Sequence, residues 1–199
     1  YEGEFLNGKR HGKGKEYNKY VGDLEYDGEY LNGKRHGKGI LYRIGREIEF
    51  EGEFANGYKI QGKGYNRDGK LEFVLERNGK GKEYDYYGDL RFEGYYINEK
   101  KNGIGKKYYK GKLISEGEYK DGELDGKVKE YNEKGKLTFE GEFKNGKKWE
   151  GKENGGFSSQ YQYLDDNEYE VVYCPVHGKQ TIRRSLDRKS GSAGMPRPI

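Results

Sequence analysis

An eight-residue pattern that recurs along the chain constrains the fold more than any other feature. Its clearest copies are residues 1–8, 26–33, 50–57 and 139–146, with looser copies at 92–99 and 115–122. A degenerate copy around 73–79 has lost one residue and its central glycine. The central glycines stand at 3, 28, 52, 94, 117 and 141, so the period is about 24 except where the degenerate copy intervenes. This self-similarity predicts a repeat architecture in which each unit packs on the next.

Each copy begins with a strand that has two different faces. In residues 26–30 the period of two places Tyr26, Gly28 and Tyr30 on one face and two acidic side chains on the other. The glycine leaves a slot between two rings, and Asn32-Gly33, which begins four residues after Gly28, is a strong hairpin signal. Every repeat is therefore predicted to be an antiparallel β-hairpin.

The composition supports an aromatic core rather than an aliphatic one. The 199 residues include 34 Gly, 21 Tyr and 8 Phe, and 37% are charged. Disordered segments lack aromatics, whereas this chain repeats them at fixed positions, so disorder is rejected for most of it. We predict an all-β, elongated, single-layer solenoid of about seven hairpins that advances about 10 Å per hairpin, followed by a C-terminal segment without repeats.

The repeats resemble the MORN repeat over roughly residues 1–151. The resemblance rests on an aromatic-x-Gly-x-aromatic start, on a later Gly-Lys-Gly at 12–14, 37–39 and 62–64, and on an aromatic that follows. The Gly-Lys-Leu runs at 111–113 and 135–137 are closer to the bacterial-type variant, some members of which are called antitoxins. The resemblance implies a binding scaffold, and lipid binding has been proposed for the family. The pattern departs at 73–79, where the stacking register is expected to break, and at Glu99, which replaces the turn glycine.

Composition divides the chain into three predicted parts. They are a repeat solenoid at 1–152, a capping or docking segment at 153–184 that contains a strand at 169–174, and a basic flexible tail at 185–199. Tyr1 already lies inside a repeat, so we expect either preceding sequence or association through that end, including self-association.

The sequence offers little support for catalysis, for a cofactor or for a metal. Cys174 and His177 have the spacing of half a metal site, and His11 and His36 are repeat equivalents, but structural zinc needs four ligands. Gly-x-Gly tripeptides and paired carboxylates recur in every unit, and an active site is usually unique. We therefore predict a non-enzymatic protein with no catalytic, cofactor or metal residues.

The candidate partner site is a row of tyrosines, one per repeat, in the second strands. Because stacked tyrosines give rigid amphipathic contact area, they would line a groove for an extended peptide or a helix. The alternative is that these rings join the core with the first-strand aromatics. The row comprises Tyr17, Tyr42, Tyr65, Tyr84, Tyr108 and Tyr131.

Charge provides a second, weaker candidate site. Residues 1–160 are nearly balanced, with 33 basic and 30 acidic side chains, whereas residues 179–199 hold 6 basic and 1 acidic. The tail is therefore an anion-binding candidate, and nucleic acid is not an expected partner. Its cations are Arg183, Arg184, Arg188 and Lys189.

Three function hypotheses follow from these observations. The first is a non-catalytic scaffold that binds a partner protein or peptide along the aromatic groove. The others are a bacterial antitoxin or immunity-type protein that occludes a toxin, and a membrane-associated adaptor that binds anionic lipid. A single cysteine and the lack of a long apolar run favour a cytoplasmic location, peripheral at a membrane or cytoskeletal structure in the adaptor case.

Overall fold

Residues 1–153 form an open antiparallel sheet of fourteen strands that follow each other in sequence order. The computed structural model describes these residues together with 159–164, 167–174 and 178–183. The strands pair as hairpins 1 to 7, from β1–β2 to β13–β14, which confirms the predicted fold class. The strands are β1 (Glu2–Leu6), β2 (Lys9–Tyr17), β3 (Leu24–Leu31), β4 (Lys34–Tyr42), β5 (Ile48–Ala55), β6 (Tyr58–Tyr65), β7 (Leu71–Leu75), β8 (Lys80–Tyr84), β9 (Leu90–Ile97), β10 (Lys100–Tyr109), β11 (Lys112–Lys120), β12 (Glu123–Tyr131), β13 (Leu137–Lys144) and β14 (Lys147–Glu153).

A separate three-stranded antiparallel sheet follows, made of β15 (Ser159–Leu164), β16 (Asn167–Cys174) and β17 (Gly178–Arg183). The strand predicted at 169–174 is therefore confirmed within β16. Its hydrogen-bonded neighbours are β15 and β17. The capping role predicted for 153–184, and the boundaries of the three parts, stay predictions.

The hairpin turns use the residues that left-handed backbone favours. Asn7, Asn32, Asn56, Asp121 and Asn145 all have φ near +50°, and a glycine follows each of them. Two consecutive residues with positive φ produce the turn whose twist matches that of the flanking strands. Glu99 replaces this glycine in hairpin 5 and still has a φ of 66°.

A row of glycines crosses the sheet at right angles to the strands. Cross-strand pairing aligns the central glycine of each first strand with a glycine of the second strand, as in Gly28 with Gly39. The row holds glycine at every strand of residues 1–153 except at Leu75 and Val128. It runs Gly3, Gly14, Gly28, Gly39, Gly52, Gly62, Leu75, Gly81, Gly94, Gly105, Gly117, Val128, Gly141 and Gly151.

The first aromatic ring of a repeat lies directly on the glycine pair of its own hairpin. A Cβ added to Gly39 would lie 2.5 Å from Cζ of Tyr26, and one added to Gly105 would lie 2.5 Å from Cζ of Phe92. No side chain fits between backbone and ring at these positions. We call this side of the sheet the ring face, because it carries the first and fifth residues of each repeat.

Rings of successive hairpins pack edge to face in a zigzag along the ring face. Tyr26 contacts Tyr30 of its own repeat at 5.3 Å between centroids and Phe54 of the next at 5.2 Å. Phe92 makes the same two contacts with Tyr96 and Tyr119. Such pairs contribute about 0.5–1.5 kcal/mol each beyond their buried area, so at four junctions the zigzag adds to the backbone hydrogen bonds that join one hairpin to the next.

A cation covers the ring in five of the seven hairpins of residues 1–153. The cation is the cross-strand partner of the fifth-position ring, as Arg35 is of Tyr30. Arg35 lies 4.8 Å from the Tyr26 centroid and forms ion pairs of 2.9 Å with Glu16 and Glu25. A single-layer sheet is thus able to bury its rings: Tyr26 is fully buried. The five cations are Arg10, Arg35, Lys59, Lys101 and Lys148.

Hairpin 6 replaces ring, glycine and cation together. Ser115 stands in the place of the first ring, Val128 replaces the partner glycine of Gly117, and Leu124 occupies the cation's position opposite Tyr119. Val128 is buried and packs in an apolar cluster with Phe139, against which Leu124 lies. A valine fits where no ring covers the backbone, and an aliphatic residue covers it where there is no π-face to attract a cation.

Hairpin 4 corrects one expectation from the sequence. The deletion at 73–79 does not break the hydrogen-bonded register, because β7 pairs with β6 and β8 pairs with β9 in sequence order. It shortens β7 and β8 to five residues each and removes the fifth-position ring and the cation.

We predict that Gly39→Ala destabilises the protein by about 2 kcal/mol, because the new methyl group must displace the buried Tyr26 ring. The backbone of Gly39 is not left-handed, so the cost comes from packing alone. Gly64→Ala is the matched control. The nearest atom to its added Cβ is Cβ of Phe73 at 3.3 Å, whereas a Cβ on Gly39 would lie 2.5 Å from Cζ of Tyr26. Urea unfolding should separate the two variants, and equal stability would contradict the role of the ring.

Candidate partner-binding site

The side opposite the ring face, which we call the charged face, carries a ladder of alternating charge. Acidic residues of the first strands pair across the sheet with lysines of the second strands, as in Glu93 with Lys106 and Lys106 with Glu116. Opposite charges in direct cross-strand pairs stabilise a sheet, and here they also neutralise one another. The ladder is interrupted at Ile40 and Val74.

The predicted tyrosine row lies on this charged face. The hydroxyl of Tyr108 donates to Glu93 at 2.6 Å, that of Tyr131 to Glu116 at 2.7 Å and that of Tyr17 to Glu2 at 2.8 Å. Tyr65 makes the equivalent bond to Glu51. These carboxylates follow the first ring of each repeat by one residue, so they point away from the ring face. The alternative in which the tyrosines join the core is therefore not what the structure shows.

Tyr42 and Tyr84 occupy the same row with different surroundings. Asp27, the acid equivalent to Glu2 in the hairpin of Tyr42, lies 3.5 Å from Lys15. In the hairpin of Tyr84 the equivalent position is Val74, which cannot accept a hydrogen bond. Both rings are half-buried, like the others of the row.

The carboxylates hold the tyrosine hydroxyls in their protonated form. The hydrogen bond to Glu116 raises the pKa of Tyr131 to about 12, and burial together with the bond to Glu93 raises the pKa of Tyr108 to about 12. The bonds to Glu2 and Glu51 raise the pKa of Tyr17 and Tyr65. The row therefore presents six half-buried rings, four of which have hydroxyls that are already paired.

A groove of about 740 Å³ lies on the charged face over hairpins 1 to 3. The backbone of Gly28, Gly39 and Gly52 lines it. Charged side chains of both signs and Ile40 form its sides. Its shape suits an extended chain, and its lining suits side chains of either charge.

The sequence analysis missed an exposed apolar patch on the same face in hairpin 5. Tyr95, Ile97 and Ile104 are 47%, 58% and 57% exposed. The other repeats have Glu at the position of Tyr95, and most of them have Lys at the position of Ile104. The sequence signal for this patch was the replacement of two charged repeat positions by Tyr95 and Ile104 within one hairpin.

The remaining candidates have little or no structural description. Arg183 is the last residue of β17, and Arg184, Arg188, Lys189 and His177 lie outside the described residues. The Nδ1 atoms of His11 and His36 are buried without a hydrogen bond in equivalent positions of hairpins 1 and 2. Among the described residues, no three His, Cys, Asp or Glu side chains form a group suited to a metal ion. The same residues include no apolar helix of membrane-spanning length.

An open meander of ring-on-glycine hairpins defines a β-hairpin repeat protein. A family model described as the MORN repeat matches residues 1–19, 26–44, 116–127 and 139–149, which lie in hairpins 1, 2, 6 and 7. These matches support a MORN-repeat protein, a non-enzymatic class whose repeats generally bind protein or lipid. They do not distinguish the bacterial-type variant, which stays a prediction. No curated protein matches the chain.

We predict that the Tyr131–Glu116 bond makes stability depend on alkaline pH. The folded pKa of about 12 lies above the ordinary value of 10.0. The stabilisation is therefore complete below pH 10 and is lost as the pH rises through 12. Tyr131→Phe and Glu116→Gln should each flatten this decline by up to about one bound proton, as measured by urea unfolding from pH 9 to 12. Tyr87→Phe, at a loop position that is 87% exposed, is the control; a Glu116→Gln variant that keeps the full slope would contradict the assignment.

Proposed function

We propose that the protein is a non-catalytic scaffold that binds a segment of a partner protein across its charged face. The observation that carries this proposal is the exposed apolar patch of Tyr95, Ile97 and Ile104 beside the tyrosine row. Elsewhere on this face most of the ladder consists of paired charges, and four of the six tyrosine hydroxyls pair with carboxylates. Patches of exposed apolar surface with a polar rim mark interaction sites on soluble proteins.

The tyrosine row supports an elongated occupant. Its members recur once per hairpin, about 10 Å apart, and an extended peptide or a helix would contact several of them. Tyr108 belongs to the same hairpin as the patch, and Tyr84 lies in the hairpin before it. We therefore place the strongest contacts at hairpins 4 and 5, with Tyr17, Tyr42, Tyr65 and Tyr131 extending the surface to both sides.

The charge pattern favours a partner protein over an anionic membrane on this face. A membrane surface attracts clustered cations, whereas the lysines here alternate with carboxylates. An antitoxin-type role, in which the bound segment belongs to a toxin, is a special case of the same binding mode.

Membrane attachment is a second candidate because one edge of the sheet exposes apolar loop residues. The loops between hairpins carry Tyr20, Ile44 and Tyr87, which are 83%, 67% and 87% exposed. Lys19 lies 4.7 Å from the Tyr20 ring. Aromatic rings beside cations suit a membrane interface, and the basic tail at 185–199 would add to this attraction.

Tyr95→Glu plus Ile104→Lys is the decisive variant, because both residues restore what other repeats carry at these positions. Stability should change by less than about 0.5 kcal/mol. Peptides of twelve residues selected from a random display library against the wild type should bind this variant at least about tenfold more weakly, since apolar anchors dominate such interfaces. Isothermal calorimetry measures both affinities.

Two further variants complete the design. Tyr84→Ala plus Tyr108→Ala tests the tyrosine row, and we expect it to weaken the selected peptides as well. Tyr87→Ser, on the loop edge, should leave peptide binding unchanged and weaken binding to phosphatidylserine vesicles if the edge attaches to membranes. Tight vesicle binding together with peptides that bind all variants equally would refute the scaffold proposal.

A further inference from the structure

Hairpin 4 contains a pocket of about 410 Å³ on the ring face. Its lining includes Phe73, Tyr96 and the carboxylates of Glu72, Glu83 and Glu99. The pocket occupies the place where the deletion removed side chains that other hairpins possess. The pocket therefore marks the position of side chains that hairpin 4 lacks.

The missing side chains include a cation. In hairpin 2 this cation is Arg35, which lies over the Tyr26 ring at 4.8 Å and pairs with Glu16 and Glu25, each at 2.9 Å. In hairpin 3 it is Lys59, which stands three residues before Gly62. Asn78 stands three residues before Gly81 in hairpin 4, but it lies in the turn and its amide donates to Glu76 at 3.4 Å.

Three groups that would receive this cation line the pocket. Phe73 is the platform equivalent to Tyr26, and Glu72 is equivalent to Glu25. Glu83 faces Phe73 from the second strand of the same hairpin, whereas the strand of hairpin 3 holds Gly64 at the place where Glu16 faces Tyr26. Glu83 accepts bonds from Tyr96 at 2.7 Å and Lys101 at 2.9 Å. Glu72 is exposed, and among the described residues it has no hydrogen bond or ion pair. The Phe73 ring likewise has no cation above it within that part of the chain.

Glu99 braces one wall of the pocket. Its Oε1 accepts a bond of 3.0 Å from the backbone N–H of Lys59, forty residues away and across hairpin 4. The Lys59 ammonium also lies 3.3 Å from Glu49 and 4.0 Å from Glu99. Glu99 has a φ of 66°, which is an unfavourable backbone conformation for a non-glycine residue. Its hydrogen bond to Lys59 across the shortened hairpin stabilises the side chain in this conformation. It also leaves Lys59 paired on two sides, so Arg91 is the remaining cation of the lining.

We propose that this pocket binds the guanidinium group of an arginine from a partner polypeptide. The bound group would lie over Phe73 as the protein's own Arg35 lies over Tyr26. It would pair with Glu72, as Arg35 does with Glu25, and with Glu83, as Arg10 does with Glu16 of its own hairpin. Arginine is favoured over lysine because a planar guanidinium stacks on a ring and bridges two carboxylates at once. The proposal rests on the protein-binding function, but the site lies on the ring face, and Tyr84 is the one member of the tyrosine row in its lining.

Titration with N-acetyl-L-argininamide, followed by amide NMR, tests the site without knowledge of the partner. Shifts should concentrate at residues of hairpins 4 and 5 and saturate in the millimolar range or below. The citrulline analogue has nearly the same shape without the charge, and it should cause no saturable shifts there. Glu72→Gln should weaken arginine binding by about fivefold, because it removes one charge-assisted hydrogen bond.

Glu25→Gln is the matched control, because it removes the equivalent carboxylate of a hairpin whose cation seat is filled. Its affinity for the probe should equal that of the wild type. Equal binding of the citrulline analogue, unchanged affinity in Glu72→Gln, or stronger binding of N-acetyl-aspartamide through Arg91 would each overturn the proposal. This test is independent of the peptide selection, because neither Tyr95 nor Ile104 lines the pocket. The Tyr95→Glu plus Ile104→Lys variant should therefore bind the arginine probe like the wild type.

Discussion

The whole sheet depends on rings that lie directly on backbone. A Phe or Tyr ring rests on two cross-strand glycines, and within residues 1–153 this removes apolar surface from water on a sheet of one layer. Because the first ring also meets the fifth-position ring of the next hairpin at four junctions, the same contact that builds a core inside one unit joins it to its neighbour. A single hairpin would be marginal, so stability arises from the stack.

The two irregular hairpins show that ring, glycine and cation act as one unit. Where Ser115 replaces the ring, Val128 occupies the space above the strand and Leu124 replaces the cation. Where the deletion removes the cation but keeps Phe73, the ring and its carboxylates remain without the group that completes them. In hairpin 6 the protein's own side chains replace the missing ring and cation. In hairpin 4 the bond between Glu99 and Lys59 spans the shortened hairpin at its turn, and no side chain replaces the cation within the described residues.

The strands, the seven hairpins and their turns could be predicted from the sequence, because a period of two and Asn-Gly turns are local signals. The face of the tyrosine row was left open in the sequence analysis. It follows from the same period of two, because Tyr17 stands three residues after Gly14 and therefore on the side opposite the ring face. The cation above each ring was also missed, since its carboxylate partners come from neighbouring strands. Continuity through hairpin 4 was mispredicted, because backbone pairing tolerates the loss of side-chain contacts.

The repeated contacts of this sheet indicate which residues could determine the choice of a partner. A contact made in every hairpin is satisfied by the adjoining hairpins, as the alternating charges and the paired tyrosine hydroxyls show. Departures from the repeat leave apolar and acidic groups uncovered in two neighbouring hairpins: Tyr95 and Ile104 on the charged face of hairpin 5, and Phe73 with Glu72 on the ring face of hairpin 4. Because residues 1–153 form a sheet of one layer, a partner of the proposed kind that reaches over the turns would be able to use both faces. In that proposal the regular hairpins would support these two hairpins on either side.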